Sequence, residues 1–306
     1  MQDGSAVSAI GSAWRSRWGR RRAVPPATSV FADTEQAGEI WERRRRSAAR
    51  FAAWGIVAGA LVALVLAAPA AWLAWAVSQL TADRIRLAEA RGTVWDGSAV
   101  VVLTGGAGSR DAATLPGRLS WTLRPGGRAL AITVRHACCL FGPTTLRVEP
   151  GLGRHVIVLP AAPSGIGQWP AATLAGLGTP WNTLQLGGTM RLSSTGATIE
   201  LMQGRWRLDG QLVLDLNGIS SRVSTLEELG SYRVLLSGRR GSSESATLQV
   251  LTTGGALQVS GQGQWVGPNL RFRGEAAAAE GAETALNNLL NIIGRRQGTR
   301  SVITIG

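Results

Sequence analysis

Residues 184–218 read LQLGGTMRLSSTGATIELMQGRWRLDGQLVLDLNG, and this stretch decides the fold class. Apolar residues alternate with polar ones along most of it, and glycines interrupt the alternation. In a β-strand successive side chains point to opposite faces, so a period of two indicates strands with one buried face. The stretch therefore predicts antiparallel strands of five to eight residues, joined by glycine-rich turns.

The same period continues over the rest of the chain beyond residue 85. Residues 119–125, LSWTLRP, place Leu119, Trp121 and Leu123 on one face, and residues 246–265 repeat the pattern around a Thr-Thr-Gly-Gly turn. About twelve to fifteen strands are expected. Because glycines interrupt short strands, the sheet should be strongly twisted. The fold class predicted is mainly β, a multi-stranded antiparallel sheet.

One segment near the C-terminus departs from the period of two. Residues 282–293 place Ala282, Leu286, Leu289, Leu290 and Ile293 on one helical stripe, and Gly294 follows as a C-cap residue. The segment RSVITIG at 300–306 is then expected to be a last strand. This single C-terminal helix should cover a face or an open end of the sheet.

A long apolar segment precedes the sheet. Residues 51–80 contain no charged residue, which predicts one transmembrane helix. Trp54 near one end, with Trp72 and Trp75 near the other, fits aromatic belts at the two membrane interfaces. Pro69 should mark a kink or the end of the span. A signal peptide cleaved after 68–70 is the alternative, but its N-terminal region would be unusually long.

Basic residues set the expected orientation of this anchor. Positive charge is retained in the cytoplasm, so residues 1–50 are predicted to be a cytoplasmic, arginine-rich and mostly disordered tail. Gly55 and Gly59 form a small-residue motif that permits a homo-oligomer, or they are simply small residues in an alanine-rich span. The topology-determining arginines are Arg43, Arg44, Arg45, Arg46 and Arg50.

Two segments of the β-region resemble each other. Residues 91–103, RGTVWDGSAVVVL, and residues 177–192, LGTPWNTLQLGGTMRL, both contain Gly-Thr-x-Trp before a strand. This repeat predicts two related β-units, a first at 84–165 and a second at 166–306 that includes the helix near 282–293.

The charge and residue types exclude several function classes. All 32 basic residues are arginine, and the net charge is +13. Beyond residue 80 the charges are scattered singly rather than clustered on one helix, so nucleic acid is not an expected partner. His136 and His155 are the only histidines, and no metalloprotease, hydrolase or nucleotide-binding motif is present. We therefore predict no enzyme activity, no cofactor and no metal.

Cys138 and Cys139 are the only cysteines, and they are adjacent. Neighbouring residues of a strand point to opposite faces, which suggests one buried and one half-buried thiol. A vicinal disulfide is the second possibility, since an exported domain lies in an oxidising compartment. A redox or ligand switch is the third.

Motifs at both ends of the β-region resemble a known family. Residues 92–99, GTVWDGSA, are followed by 115–125, LPGRLSWTLRP. Near the C-terminus stand 255–265, GALQVSGQGQW, then 270–281, LRFRGEAAAAEG, and 286–296, LNNLLNIIGRR. In order and spacing these segments resemble the family of type II secretion system protein N, over residues 55–306.

This resemblance implies a non-catalytic protein of the inner membrane of a Gram-negative bacterium, with one membrane pass and a periplasmic domain. Such a component supports export of folded proteins across the outer membrane and contacts other inner-membrane components of the secretion system. The motif residues are then structural. We expect Trp95 and Trp121 to anchor the first hairpins and the Asp96 side chain to bond turn amides. The motif residues are Gly92, Thr93, Trp95, Gly97, Trp121, Trp181 and Trp265.

An AsmA-like or bridge-type lipid-transport protein is the alternative. Those proteins also carry a long, curved sheet on one membrane helix, and an apolar groove holds acyl chains. An open, continuous apolar face would favour lipid, whereas a face plugged by the helix at 282–293 would favour a scaffold. The deciding residues are Leu119, Trp121, Leu212, Leu214, Leu248 and Leu257.

Overall fold

The computed structural model describes residues 49–203, 205–241, 246–266 and 269–306. Arg43, Arg44, Arg45, Arg46 and the rest of the predicted tail up to residue 48 lie outside the described residues. The described chain is mainly β, with an apolar helix at its N-terminal end and one long helix near its C-terminus. The predicted fold class is therefore confirmed.

The apolar run predicted at 51–80 is divided into two helices. The first, α1, includes Ala49–Leu66, and it is long and apolar enough to cross a membrane. The second, α2, is Ala70–Leu80. Pro69 stands between them in an extended conformation, because its ring prevents the hydrogen bond that would continue the first helix. The predicted break at Pro69 is thus seen, and α2 packs on the sheet through Ala70 and Leu73.

Residues 65–306 form one compact unit, built around a single antiparallel sheet of fifteen described strands. Strands that follow one another along the chain are neighbours almost throughout, so the sheet is a meander. Two strands depart from this order: β3 pairs with β2 beside β4, and β15 lies between β13 and β14. The sheet is not closed, and β1 and β14 are its end strands.

The first strands are β1 (Ile85–Gly92), β2 (Asp96–Thr104), β3 (Ala112–Thr114), β4 (Leu119–Gly126), β5 (Ala129–His136), β6 (Thr144–Pro150) and β7 (Arg154–Pro170). A 3-10 helix (Ala171–Leu177) and a single helical turn, α3 (Trp181–Leu184), follow. The remaining elements are β8 (Leu186–Met202), β9 (Arg205–Ser221), β10 (Gly230–Gly238), β11 (Ala246–Gly254), β12 (Leu257–Val266), β13 (Asn269–Ala278), α4 (Glu283–Ile293), β14 (Arg295–Gln297) and β15 (Arg300–Ile305).

Three strands are much longer than predicted. Each of β7, β8 and β9 has 17 residues, although segments of five to eight were expected. Some of the glycines that were expected to form turns instead lie at shifts of register within continuous strands. The pairing of β8 with β9 shifts register between Ser194 and Ala197, where Gly196 and Gly210 have φ of 103° and 112°. Glycine adopts this conformation without steric cost, so a bulge bends the strand without ending it.

The apolar face of the sheet is covered in separate places. Helix α4 buries Leu286, Leu289 and Leu290 against Tyr232 and Leu257. Helix α2 covers a second cluster that contains Trp121, and a third cluster forms around Leu208. These contacts agree with the predicted helical stripe, because its three leucines are at most 2% exposed.

Gly294 ends α4 for a different reason from the one expected. The backbone of Gly294 is extended, with φ of −169°, rather than left-handed. A Cβ atom at this position would lie 2.6 Å from the carbonyl oxygen of Val302. Glycine is therefore needed because two backbone segments approach closely.

Candidate functional site

The first motif with a defined geometry is the turn between β1 and β2, residues 92–95, which we call the first tryptophan turn. Gly92 has a φ of 87°, and a Cβ atom there would lie 2.5 Å from the Asp96 carbonyl oxygen. The Thr93 amide donates to that oxygen at 2.8 Å, and the Asp96 amide donates to Thr93 Oγ1 at 3.1 Å. The side chain that closes this turn is thus Thr93 rather than Asp96.

The first tryptophan turn also holds the connection between α1 and α2. The Trp95 indole donates to the carbonyl oxygen of Val65 at 2.8 Å, and the Val94 amide donates to that of Ala68 at 2.8 Å. Thr93 forms a β-bridge with Pro69. These contacts satisfy carbonyl groups that the end of a helix leaves without partners. The turn therefore fixes the chain where it leaves the apolar helix, a role that the sequence reasoning missed.

Trp121 completes this arrangement from β4. It is 3% exposed, and its indole donates to the Val94 carbonyl oxygen at 3.0 Å. A Cβ atom at Gly97, directly across the strand pair, would lie 2.6 Å from Trp121 Cζ2. The structure thus brings Gly92, Thr93, Trp95, Gly97 and Trp121 together in one cluster.

The other two motif tryptophans lie elsewhere. Trp181 begins the short helix α3 and is 36% exposed. Trp265, on β12, packs edge-on against Trp206 with the ring centroids 5.1 Å apart. Neither belongs to the buried cluster of Trp121. The predicted motif residues therefore do not form one site.

A second group of residues meets at the end of β5, in the segment His136–Cys139, which we call the histidine–cysteine turn. The structure joins Cys138 and Cys139 as a disulfide. One ring nitrogen of His136 and the sulfurs of Cys138 and Cys139 all lie within 4.8 Å of one another. Metal binding by the histidine and cysteine residues was not predicted from the sequence, because it has no Cys-x-x-Cys spacing. The available signal was the spacing His-x-Cys-Cys at a strand end.

The environment of His136 is unusual. The residue is 5% exposed, and neither ring nitrogen has a hydrogen-bond partner among the described residues. Burial lowers the pKa of His136, because the charged imidazolium loses its hydration. His136 lies opposite Leu119 on β4, whereas the exposed His155 lies opposite Leu201 on β8. The structure therefore does not pair the two histidines across one strand pair.

The carboxylates show no arrangement typical of acid–base catalysis in the described residues. They pair with arginines across neighbouring strands, as in Arg233–Asp215 at 2.7 Å and Arg154–Glu200 at 2.8 Å. The bond to Asp215 raises the pKa of Arg233. Because these arginines are about half exposed, the pairs add little to stability and keep the solvent face of the sheet polar.

Open troughs indent the described surface, and two of them are larger than a third, of about 340 Å³. One, of about 640 Å³, crosses β10–β13 and β15, and its lining mixes polar residues such as Gln262 and Arg273 with apolar ones such as Leu248 and Phe272. The other, of about 740 Å³, includes Asp111, whose carboxylate accepts a hydrogen bond from Asn182 at 3.0 Å. Neither trough contains a histidine or a cysteine.

Comparison with known proteins identifies the family. The family described as type II secretion system (T2SS), protein N, matches residues 83–303, which is more than half of the 306-residue chain and includes nearly the whole sheet. Curated proteins and solved structures gave no match. The resemblance seen in the sequence motifs is confirmed: the chain belongs to the family of type II secretion system protein N.

Proposed function

We propose that this chain is a non-catalytic component of the type II secretion system that is anchored in the inner membrane and supports export of folded proteins across the outer membrane. The observation that carries the proposal is the family match over residues 83–303. The apolar helix α1 lies just before the matched region, as an N-terminal membrane anchor would. The partners are other components of the same secretion system.

The proposed orientation places the N-terminus in the cytoplasm and the sheet in the periplasm. Arg43, Arg44, Arg45, Arg46 and Arg50 precede the apolar helix, while Asp83, Arg84 and Arg86 leave little net charge after it. Basic residues are retained on the cytoplasmic side. Protease added to spheroplasts should therefore digest the β-region, and the same protease added to inverted inner-membrane vesicles should leave it intact. The reverse pattern would contradict the orientation.

The covered apolar face favours a scaffold over a lipid carrier. A groove for acyl chains would need a continuous open lining that included Trp121 and Leu257. Trp121 belongs to the cluster beneath α2, and Leu257 belongs to the cluster beneath α4. Both residues are at most 6% exposed. Helix α4 thus covers the Leu257 end of that lining, and α2 covers the Trp121 end. The other four residues of the lining are half-buried: Leu119, Leu212, Leu214 and Leu248.

The end strands of the sheet are the surfaces that remain for a partner. Strand β1 is paired with another strand on one side only, and helix α2 packs against β1, so an extended segment of another secretion component would add where α2 leaves this edge free. The pairing of β1 with β2 is irregular between Ala88 and Arg91, and Glu89 within this bulge is exposed. Bulges and charges on an edge strand discourage self-association. A hetero-partner is therefore favoured at this edge.

Photocrosslinking tests the proposed edge. A photoreactive residue in place of Arg86, exposed on β1, should crosslink to another secretion component in living cells. The matched control is a photoreactive residue in place of Thr247. This residue is exposed, as Arg86 is, but it lies on the interior strand β11. Equal crosslinking from both positions would contradict docking at β1.

A secretion assay tests the function itself. Deleting the gene should shift a folded substrate from the medium to the periplasm, and the full chain supplied in trans should reverse the shift. Unchanged secretion after deletion would contradict the proposed function.

A further inference from the structure

We propose that the histidine–cysteine turn is a redox-gated binding site for one thiophilic metal ion, with Zn²⁺ as its test ion. The ligands are His136, Cys138 and Cys139 in the reduced chain, and the disulfide is the closed form of the site. This inference is independent of the proposed secretion function and of any membrane orientation.

The spacing of the three side chains carries the proposal. Their ligand atoms lie within 4.8 Å of one another, which is close enough for small side-chain rotations to bring them around one ion. Metal bonds to cysteine sulfur and histidine nitrogen are about 2.0–2.3 Å long. The three residues lie within four positions of one short turn, so no other segment of the chain has to move.

The burial of His136 is an independent observation that points to a ligand. Its side chain lies beside the two sulfurs, is 5% exposed, and has no hydrogen-bond partner at either ring nitrogen among the described residues. Burying a polar group without a partner costs free energy. A metal ion bound to one ring nitrogen would offset part of that cost.

The backbone holds this turn in place. The Leu140 amide donates to the His136 carbonyl oxygen at 3.2 Å, and the Gln168 amide donates to the Cys139 carbonyl oxygen at 2.9 Å. A Cβ atom at Gly167 would collide with that same Cys139 oxygen, so glycine permits the close approach of β7. The ligands are therefore attached to a backbone that is fixed from both sides, which reduces the entropy lost on binding.

The ligand set selects a class of metal ion. Two thiolates and one imidazole form a soft donor set that suits Zn²⁺ and related thiophilic ions. Cys138 is exposed, while Cys139 is 2% exposed, so the ion can enter from the solvent side. Three protein ligands leave a fourth position for water or for a group from a partner.

The disulfide gates the site because the same two sulfurs serve both forms. A dithiol reductant breaks the Cys138–Cys139 bond, transfers two electrons and two protons to give two thiols, and becomes a disulfide itself. The metal ion then displaces the two thiol protons, which are released to solvent. A disulfide oxidant takes two electrons and two protons from the metal-free dithiol, becomes a dithiol itself and so restores the closed form.

Metal titration of the full chain in detergent tests the proposal. The chain would be compared as purified and after reduction with a dithiol that is then removed without oxygen. Thiol titration should rise from zero to two per chain. Zn²⁺ competition against a chromogenic chelator should give one bound ion per reduced chain and none per oxidised chain.

Matched histidine variants identify the ligand. His136→Gln should weaken Zn²⁺ binding by at least about tenfold, the effect expected even for groups that only support a ligand. His155→Gln, which changes the other histidine of the chain, should leave the affinity unchanged.

Three results would overturn the proposal: a reduced chain that binds no Zn²⁺, equal binding by the reduced and oxidised chains, or equal affinity in His136→Gln and the wild type. The comparison of the two redox forms uses the unmodified chain, so a folding defect in a variant cannot decide the outcome.

Discussion

The two Gly-Thr-x-Trp turns of this chain have nearly the same residues and different surroundings. In the first tryptophan turn, residues 92–95, the indole of Trp95 bonds the connection between α1 and α2. In the second tryptophan turn, residues 178–181, Trp181 begins α3 and is 36% exposed. Both glycines have a left-handed φ, of 87° and 80°. The shared letters therefore give both glycines a positive φ, while the role of the tryptophan differs between the two turns.

The third residue of the Gly-Thr-x-Trp motif explains part of the difference between the surroundings of the two turns. Val94 donates its amide to the Ala68 carbonyl oxygen, whereas Pro180 has no amide hydrogen to donate. The helical turn α3, which follows the second turn, is held instead by the Ser221 hydroxyl on β9, which donates to the Leu184 carbonyl oxygen at 2.6 Å. A repeat of sequence can thus preserve a turn while the bonds that fix it come from different elements.

The largest difference between the turns should appear when their aromatic contacts are removed. Trp121→Ala removes a side chain that is 3% exposed and packs against the first turn, so the free energy of unfolding should fall by about 3–5 kcal/mol. Trp181→Ala in the second turn should cost less than about 1 kcal/mol. Urea unfolding of the full chain in detergent measures both, and equal losses would contradict the distinction.

A smaller effect is expected from crowding the first turn. Gly97→Ala places a Cβ atom 2.6 Å from Trp121 Cζ2 and 2.8 Å from two backbone oxygens, so the variant should lose about 1–3 kcal/mol of stability. Gly142→Ala is the control, since a Cβ atom there meets nothing within 4 Å. Thermal unfolding should show a lower midpoint for the first variant only.

The hydrogen bond between Ser221 and Leu184, at the end of α3, can be removed by itself. Ser221→Ala leaves the Leu184 carbonyl oxygen without its hydroxyl donor, and Ser221 is 5% exposed, so about 1–2 kcal/mol should be lost. Ser220→Ala changes the neighbouring serine, whose hydroxyl makes no hydrogen bond in the described structure. Urea unfolding should separate the two variants. If both variants unfold at the same urea concentration, the hydrogen bond from Ser221 to Leu184 does not stabilise α3.

The smallest effect concerns the indole of the first turn. Trp95→Phe keeps most of the apolar contact and removes the donor to the Val65 carbonyl oxygen, at a cost of about 0.5–1 kcal/mol. Amide hydrogen exchange at residues 65–68 should become faster. Trp181→Phe should leave exchange there unchanged. Slow exchange in Trp95→Phe would show that the indole bond does not hold the connection.

Much of the fold could be predicted because its signals are local. The period of two identifies strands wherever one face is buried, and the leucine stripe of α4 identifies a covering helix. The lengths of the strands could not be predicted, because a glycine in the sequence is compatible both with a turn that ends a strand and with a bulge that bends it. Gly196 and Gly210 are glycines of the second kind. The pairing of β15 between β13 and β14 depends on contacts distant in sequence.

The candidate sites were less predictable, because they depend on which elements meet. The sequence identified Trp95 and Trp121 as anchors but gave no sign that Trp95 would bond Val65, thirty residues earlier. The adjacent cysteines drew attention, yet nothing in the letters indicated that the ring nitrogens of His136 would be buried without partners. The two related β-units, at 84–165 and 166–306, stay a prediction.

The most direct test of the central claim is chemical crosslinking in the native inner membrane, followed by purification of the chain, mass spectrometry of the attached proteins and extraction of bound lipid. A non-catalytic secretion scaffold should be recovered with other type II secretion components and without stoichiometric lipid. Tightly bound phospholipid, with no secretion component attached, would contradict the scaffold and favour a lipid carrier.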